Sequence, residues 1–288
     1  TFPFPNKPLT SDCGRPAVQP ALDSGDRLVG GQAALPGSWP WQAFLPVLPG
    51  DHCGGALIDD RHVITAAHCA VIPTARNMTV HLGSHQRTVK DDSEVHIAVE
   101  DICVHPGFLN GKSAGRTTDI AIIRLRQKVN FTETIRPVCL PENGQKVTSG
   151  SEIYVTGWGF TKDGVADAPS ELHQLMIKAV SNEECLKDVY NQINDSVFCA
   201  SHDHGSVSGG DSGSPAVQKG ERALDAAGHC LRGAPHVLWQ APAASLHPGL
   251  FLRHQLRRSL CGARNLPSAW RHPIKAAFSF EKKKKKKK

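Results

Sequence analysis

The sequence of 288 residues is poor in aromatic residues and has no long apolar segment. Aromatic residues make up 6% of it and do not cluster, which argues against a surface that stacks on nucleic-acid bases. No run of 18 apolar residues occurs, so no membrane-spanning helix is predicted. A true charge excess is also missing. The formal net charge is +6, but seven of the 33 basic residues are the terminal lysines 282–288, which leaves 26 basic against 27 acidic residues. The composition therefore gives no case for a nucleic-acid partner or a membrane span.

Cysteines and glycosylation sequons indicate an oxidising compartment. The nine cysteines are typical of an extracellular protein, and their odd number leaves at least one without a partner in the chain. Three Asn-X-Ser/Thr sequons, at Asn77, Asn130 and Asn194, fit the same environment. We therefore expect a secreted, disulfide-bonded glycoprotein.

Short apolar runs, separated by clusters of Gly and Pro, extend from residue 28 to about residue 217. This pattern predicts an all-β domain of closely spaced strands, as barrels require. The length suits two small barrels packed as one unit. Residues 1–27 are polar and rich in Pro, which predicts an extended segment before the domain. Residues 218–288 lose the strand pattern and are interpreted as an atypical tail with a lysine end.

Three segments combine the residue types of nucleophilic catalysis, and they are Leu57–Cys69, Thr118–Leu125 and Gly209–Pro215. A serine hydroxyl is a poor nucleophile unless a base such as an imidazole takes its proton. A carboxylate can fix the imidazole tautomer and stabilise its cation. A Gly-rich turn leaves the backbone N–H groups of Gly210 and Ser212 free to bind an oxyanion. Each motif alone fits a turn or a surface charge, whereas their combination favours catalysis.

These motifs resemble the active-site motifs of the trypsin/chymotrypsin-like serine protease family. Further family motifs follow in the family's order, and they are Val29-Gly30-Gly31, Pro40-Trp41-Gln42, Cys53-Gly54-Gly55, Arg136-Pro137-Val138-Cys139-Leu140-Pro141 and Gly157-Trp158-Gly159. The resemblance implies two packed six-stranded antiparallel β-barrels. It makes His68 the base, Asp119 its orienting partner and Ser212 the nucleophile of an endopeptidase that forms an acyl-enzyme. Such an enzyme needs no cofactor and no catalytic metal, and its partners are protein or peptide substrates and protease inhibitors.

The segment that begins Asp26-Arg27-Leu28 resembles the family's zymogen cleavage site. Cleavage after Arg27 by a trypsin-like protease would free the Leu28 amine. In the family this amine turns inward and pairs with the acid beside the nucleophile, here Asp211. Because a buried charge is costly unless it is paired, the new pair would order the oxyanion loop and the specificity pocket only after cleavage. Residues 1–27 are therefore expected to be a pro-segment.

The resemblance also implies three disulfides, which are Cys53–Cys69, Cys13–Cys139 and Cys185–Cys199. The second of these would keep the pro-segment attached after cleavage. Cys103 has no obvious partner and is expected to be a buried free thiol.

The substrate pocket is less well determined. Family spacing places its base at Ser206, which favours an apolar or aromatic substrate side chain. Asp203 lies nearby and remains an alternative. The acidic residues Asp91, Asp92 and Glu94 could form a calcium loop, although a solvated acidic turn is the favoured interpretation.

The strands that follow the nucleophile in the family have no convincing counterpart after residue 218, so the second barrel is expected to be incomplete. A frameshifted reading that ends in translated poly(A) would explain the lysine end. A genuine basic tail for acidic surfaces is the rival interpretation. Besides the protease precursor, two functions stay open: a protease-like protein without turnover, as a binding module or a truncated or frameshifted isoform, and an unstable product.

Overall fold

The computed structural model describes the following residues: 13–22, 31–72, 74–109, 118–141, 145–160, 168–181, 183–184, 197–201, 210–220, 224–230 and 237–240. For residues 201, 224–230 and 237–240 only the backbone is described. All of these residues belong to the first of the two units into which the chain divides, residues 1–248.

Six strands of the N-terminal half form a closed antiparallel barrel in the order β2-β3-β4-β7-β6-β5. Their bounds are β2 Gln42–Leu48, β3 Asp51–Leu57, β4 His62–Thr65, β5 Thr79–Leu82, β6 Val95–Val104 and β7 Ala121–Leu125. Strand β5 shows the alternation that is typical of a barrel strand. Val80 and Leu82 are buried inside the barrel, while Thr79 and His81 face outward. The barrel confirms the predicted all-β fold class.

The other strands form a second antiparallel sheet in the order β1-β9-β10-β13-β12-β11-β8, and β8 also pairs with β9. Their bounds are β1 Gln32–Ala33, β8 Glu152–Gly157, β9 His173–Val180, β10 Val197–Ser201, β11 Pro215–Lys219, β12 Leu224–Cys230 and β13 Val237–Gln240. The pairings therefore link six strands in a circuit, with β1 as an additional neighbour of β9.

Strands β12 and β13 lie in the part of the chain for which the sequence predicted no strands. β12 pairs with β11, and β13 pairs with both β10 and β12. The sequence of β12, Leu-Asp-Ala-Ala-Gly-His-Cys, has no β-branched residue and so gives no strand signal. Its pairing partners, rather than its own propensity, account for its conformation.

A buried apolar cluster joins the strands of the second sheet, and it contains Ile153, Val155, Ile177, Ala179, Phe198, Ala200 and Ala216. Trp41 and Trp158 are also almost fully buried. The helices are short: α1 is Ala67–Ala70, α2 is Pro106–Leu109, and a 3₁₀ helix spans Ala75–Asn77. Within the described residues, no helix has the length and hydropathy that crossing a membrane requires.

The described part of the expected pro-segment, residues 13–22, is attached to the domain. A disulfide joins Cys13 to Cys139, and the Gly14 amide donates to the Pro137 carbonyl at 2.8 Å. Further along, Gln174 Nε2 donates to the Ala21 carbonyl at 2.6 Å. The segment therefore contacts the domain at two places far apart along the chain.

A second disulfide, Cys53–Cys69, connects strand β3 to helix α1. Both described bridges have the pairing that the family resemblance implies. Cys103 and Cys199 are disulfide-bonded as well. The expectation of a free thiol at Cys103 is therefore wrong, because it rested on family motifs that assign this cysteine no partner.

Removal of the Cys53–Cys69 bridge should destabilise the barrel. The bridge spans 16 residues, and a closed loop of that size restricts the unfolded chain by about 3 kcal/mol. We expect the double substitution Cys53→Ala/Cys69→Ala to lower the free energy of unfolding by about that amount. Urea denaturation monitored by tryptophan fluorescence measures it, and an unchanged midpoint would contradict the expectation.

Candidate active site

His68 and Asp119 meet because two strands pair. Strands β4 and β7 are antiparallel, with Thr65 opposite Ala121. The end of β4 therefore lies beside the start of β7. His68 follows Thr65 on helix α1, and Asp119 precedes Ala121, so the register brings the two side chains to one edge of the barrel.

Two hydrogen bonds join His68 to Asp119. The backbone N–H of His68 donates to Asp119 Oδ1 at 2.8 Å, and His68 Nδ1 lies 2.7 Å from Asp119 Oδ2. The Asp119 side chain is 10% exposed and the His68 side chain 33% exposed. Because a carboxylate only accepts, Nδ1 carries the proton in this arrangement, and in the neutral form of the ring the lone pair is on Nε2.

The turn that contains Ser212 rests on the same edge of the barrel. The Ser212 carbonyl accepts a hydrogen bond from the Gly54 amide at 2.8 Å and lies 3.7 Å from Cys69 Sγ. Gly213 has a φ of 80°, and a Cβ there would collide with Thr65 and lie 2.6 Å from the Gly54 carbonyl oxygen. The glycine thus permits the close approach that places Ser212 beside the His68 loop. No hydrogen bond joins Ser212 Oγ to His68 among the described contacts of these residues.

The neighbouring Asp211 is held by the segment that follows β8. Its Oδ1 accepts a hydrogen bond from the Gly159 amide at 2.8 Å, and its carbonyl accepts one from Ser214 at 2.9 Å. A Cβ on Gly159 would lie 2.6 Å from Asp211 Oδ1 and closer still to Oδ2. The carboxylate therefore occupies space that only a glycine leaves open.

A buried histidine that the sequence analysis did not single out supports the same turn. His52 Nε2 lies 3.2 Å from the Trp158 carbonyl oxygen, and its ring stacks on Phe44 with centroids 5.2 Å apart. Gly210 has a φ of 101°, and a Cβ there would lie 2.7 Å from His52 Nε2. His52 therefore forms a wall behind the predicted oxyanion loop. Its partner Trp158 lies 106 residues away in the sequence, where no local motif could indicate it.

Several predicted residues lie outside the part of the chain that the structure describes, and they are Arg27, Leu28, Cys185, Asn194, Asp203 and Ser206. Two of the three predicted glycosylation sites are described, and both Asn77 and Asn130 are exposed. Of the predicted calcium-loop residues, Asp91 is engaged in its own turn, where Oδ2 accepts from the His85 amide at 2.6 Å.

Comparison with protein families agrees with this geometry. The family model described as Trypsin matches residues 28–238. The chain belongs to the trypsin family of serine proteases. The match covers the segments that carry His68, Asp119 and Ser212, and it includes strand β12. The trypsin-family match therefore continues beyond residue 217, where the sequence analysis ended the domain.

The buried His52 should make stability fall in mild acid. Burial lowers the pKa of His52 below 6.5; the hydrogen bond to the Trp158 carbonyl and the Asp51 charge raise it, and Arg87 lowers it. The unfolded chain then binds this proton more readily, so the stability due to neutral His52 is present above pH ~6.5 and is lost as the pH falls below it. Urea unfolding at pH 7.5 and pH 5 measures the loss. This loss of stability between pH 7.5 and pH 5 should be smaller in His52→Phe, which keeps the ring stacking, and also in His52→Gln. If both variants lose as much stability as the wild type, His52 is not the source of the loss.

Gly159→Ala should impair the Ser212 turn without removing any hydrogen-bonding group. The new methyl group would displace the Asp211 carboxylate, and a shift of about 1 Å at a catalytic site can cost about 100-fold in rate. We expect peptide hydrolysis by the cleaved protein to fall by about that factor. Gly50→Ala is the control, because Gly50 has a φ of 81° and no atom lies within 4 Å of a Cβ built there. This substitution should lower the stability by about 1 kcal/mol and leave the activity unchanged. Equal activities of the two variants would contradict the prediction.

Proposed function

We propose that this trypsin-family protein is the precursor of a secreted serine endopeptidase that acts through Ser212, His68 and Asp119. The observation that carries the proposal is the double attachment of His68 to Asp119. It orients the ring and holds the proton on Nδ1, so Nε2 is available as a base. The Ser212 turn packs on Gly54 of β3 and on Thr65, the last residue of β4 before the His68 helix.

The proposed reaction has two halves. Ser212 Oγ attacks the carbonyl carbon of a peptide bond while His68 Nε2 takes the hydroxyl proton, and Asp119 stabilises the resulting imidazolium. His68 then gives the proton to the leaving amine, and an acyl-enzyme remains on Ser212. Water, deprotonated by His68, releases the acid and restores the serine. No metal or cofactor enters these steps.

The oxyanion of each tetrahedral intermediate would bind the backbone N–H groups of Gly210 and Ser212. Neither amide donates a hydrogen bond in the described contacts of the chain, which leaves both available. Gly210 has a φ of 101°, and a side chain there would meet His52, so both the conformation and the space at this position require glycine. Preorganised donors of this kind supply a large part of the rate enhancement in acyl transfer.

Activation would follow cleavage after Arg27 by a trypsin-like protease. The new Leu28 amine would pair with Asp211, whose carboxylate connects the turn before β11 to the segment after β8. Gly31 lies close to Leu28 in the sequence and packs against the Gln174 carbonyl on β9, which anchors the chain just after the cleavage site. The Cys13–Cys139 bridge would keep the cleaved segment covalently attached.

Two further features support secretion and a choice of substrate. The disulfides and the exposed sequon residues Asn77 and Asn130 suit an extracellular glycoprotein. Ser206 at the pocket base favours substrates with apolar or aromatic side chains, and protease inhibitors of matching shape would be partners. The substrate preference rests on the sequence motifs alone.

One observation favours a second candidate, a protease-like protein without turnover. The structure has no hydrogen bond between Ser212 Oγ and His68 in the described contacts. A nucleophile and its base need such a contact in the reacting complex, although it often tightens only when substrate binds. The two candidates therefore differ in whether the cleaved protein completes this contact.

An active-serine fluorophosphonate probe separates the two candidates. After treatment with a trypsin-like activator, the wild-type chain should be labelled and Ser212→Ala should not. Asp119→Asn should reduce the rate of peptide hydrolysis at neutral pH by about 10⁴-fold, the loss known for the Ser-His-Asp template when the tautomer is wrong.

The matched control is Asp59→Asn. Asp59 forms another carboxylate–imidazole pair, with His62 Nδ1 at 2.9 Å at the start of β4, but contacts no active-site residue among its described partners. The Asp59→Asn variant should hydrolyse peptides at a rate close to that of the wild type. A soluble, cleaved wild-type protein that takes no label would contradict the proposal and support the protein without turnover.

A further inference from the structure

A cluster of two histidines and one glutamate lies on the outside of the first barrel, on the β5–β6 hairpin. His81 and His96 are direct cross-strand partners in the register of the two strands. Their rings stack with centroids 3.6 Å apart and an interplanar angle of 8°. Glu94 precedes His96 by two residues, and its side chain is 5% exposed. The register thus collects three ligand-type side chains at one point.

One oxygen of Glu94 contacts a nitrogen of each ring. Oε1 lies 2.5 Å from His96 Nε2 and 3.2 Å from His81 Nδ1. One atom from each of the three side chains therefore lies within 4.8 Å of the other two. The second carboxylate oxygen is used elsewhere, since Oε2 accepts the Asp91 amide at 3.2 Å. Glu94 Oε1, His81 Nδ1 and His96 Nε2 are therefore the three atoms that could bind one ligand.

The surroundings suit a ligand role for His81. Its far nitrogen, Nε2, lies 3.0 Å from Thr79 Oγ1, and such a partner fixes the orientation of a metal-binding imidazole.

We propose that His81, Glu94 and His96 bind one divalent transition cation of the Zn²⁺ class. Two imidazole nitrogens and one carboxylate oxygen are ligands that Zn²⁺ accepts, with water as the fourth ligand of a tetrahedron. Ca²⁺ and Mg²⁺ require six or more oxygen ligands, which this cluster does not supply. The site shares Glu94 with the acidic loop considered in the sequence but does not use Asp91, whose Oδ2 accepts the His85 and Gln86 amides.

Binding requires a small rearrangement. An imidazole nitrogen holds a metal in the plane of its own ring, so two nearly parallel rings cannot share a cation without tilting. His96 is 36% exposed on its side chain and has room to rotate. His81 is held more firmly, by Thr79 and by packing of its ring 5.5 Å from Phe44. The cation would therefore draw His96 toward the fixed pair of His81 and Glu94.

The test is a calorimetric titration of the full chain with Zn²⁺ alone. We expect a site of one cation per chain, and a rise in Tm of about 5–10 °C when free Zn²⁺ is roughly a hundredfold above Kd. His96→Gln removes one ligand from an exposed position and should weaken binding by at least about 100-fold. His62→Gln is the matched control, because His62 also pairs with a carboxylate but has no second imidazole beside it, and it should bind Zn²⁺ as the wild type does.

His68→Gln removes the competing imidazole of the active site. If binding is lost in His68→Gln and retained in His96→Gln, the cation sits at the active site and the proposal is overturned. Equal binding in all variants also overturns it. Should His96→Gln fail to fold, X-ray absorption on the Zn²⁺-loaded wild type and His68→Gln chains decides the matter. Two imidazole nitrogens at about 2.0–2.1 Å in both support the site, and an all-oxygen shell contradicts it. None of these readouts depends on protease activity.

Discussion

The burial of the Asp119 carboxylate is the constraint on which the arrangement of the active site depends. An ionised group with so little exposure destabilises a fold unless hydrogen bonds replace its water. Here both oxygens are satisfied by one residue, through the backbone N–H and the ring of His68. Helix α1 has four residues and no side-chain cap, so it could not fix His68 by its own stability. The carboxylate and the Cys53–Cys69 bridge fix it instead.

The Ser212 turn reaches this pair because glycines allow backbone to pack on backbone. Gly54, Gly157 and Gly159 each lie so close to residues 211–214 that a Cβ would overlap them. A hydrogen bond from the Gly54 amide to the Ser212 carbonyl then joins the first barrel to the second sheet. The proposed nucleophile, Ser212, precedes β11 of the second sheet, and its proposed base, His68, follows β4 of the barrel. The geometry of the site is therefore a property of the contact between them, and small changes in that contact act on the chemistry.

Local motifs predicted the parts of this structure that local sequence determines. The all-β class and the strands around His68 and Asp119 follow from short patterns, and the pairing of Cys53 with Cys69 follows from the family resemblance. Strand β12 could not be predicted in this way, because its Ala- and Gly-containing sequence becomes a strand only through its neighbours. The stacking of His81 on His96 depends on hairpin register, and the wall formed by His52 depends on contacts across the whole domain.

Three histidines show how the surroundings, rather than the residue type, decide what an imidazole does. His68 keeps a third of its side chain exposed and has a buried carboxylate behind it, so it can take and return a proton. His52 is enclosed by aromatic rings beside a carbonyl, and burial keeps it neutral as a packing element. His81 shares a carboxylate oxygen with a second imidazole, and this set of two ring nitrogens and one oxygen suits the proposed cation. The three histidines thus differ in the carboxylates and the solvent exposure that surround them.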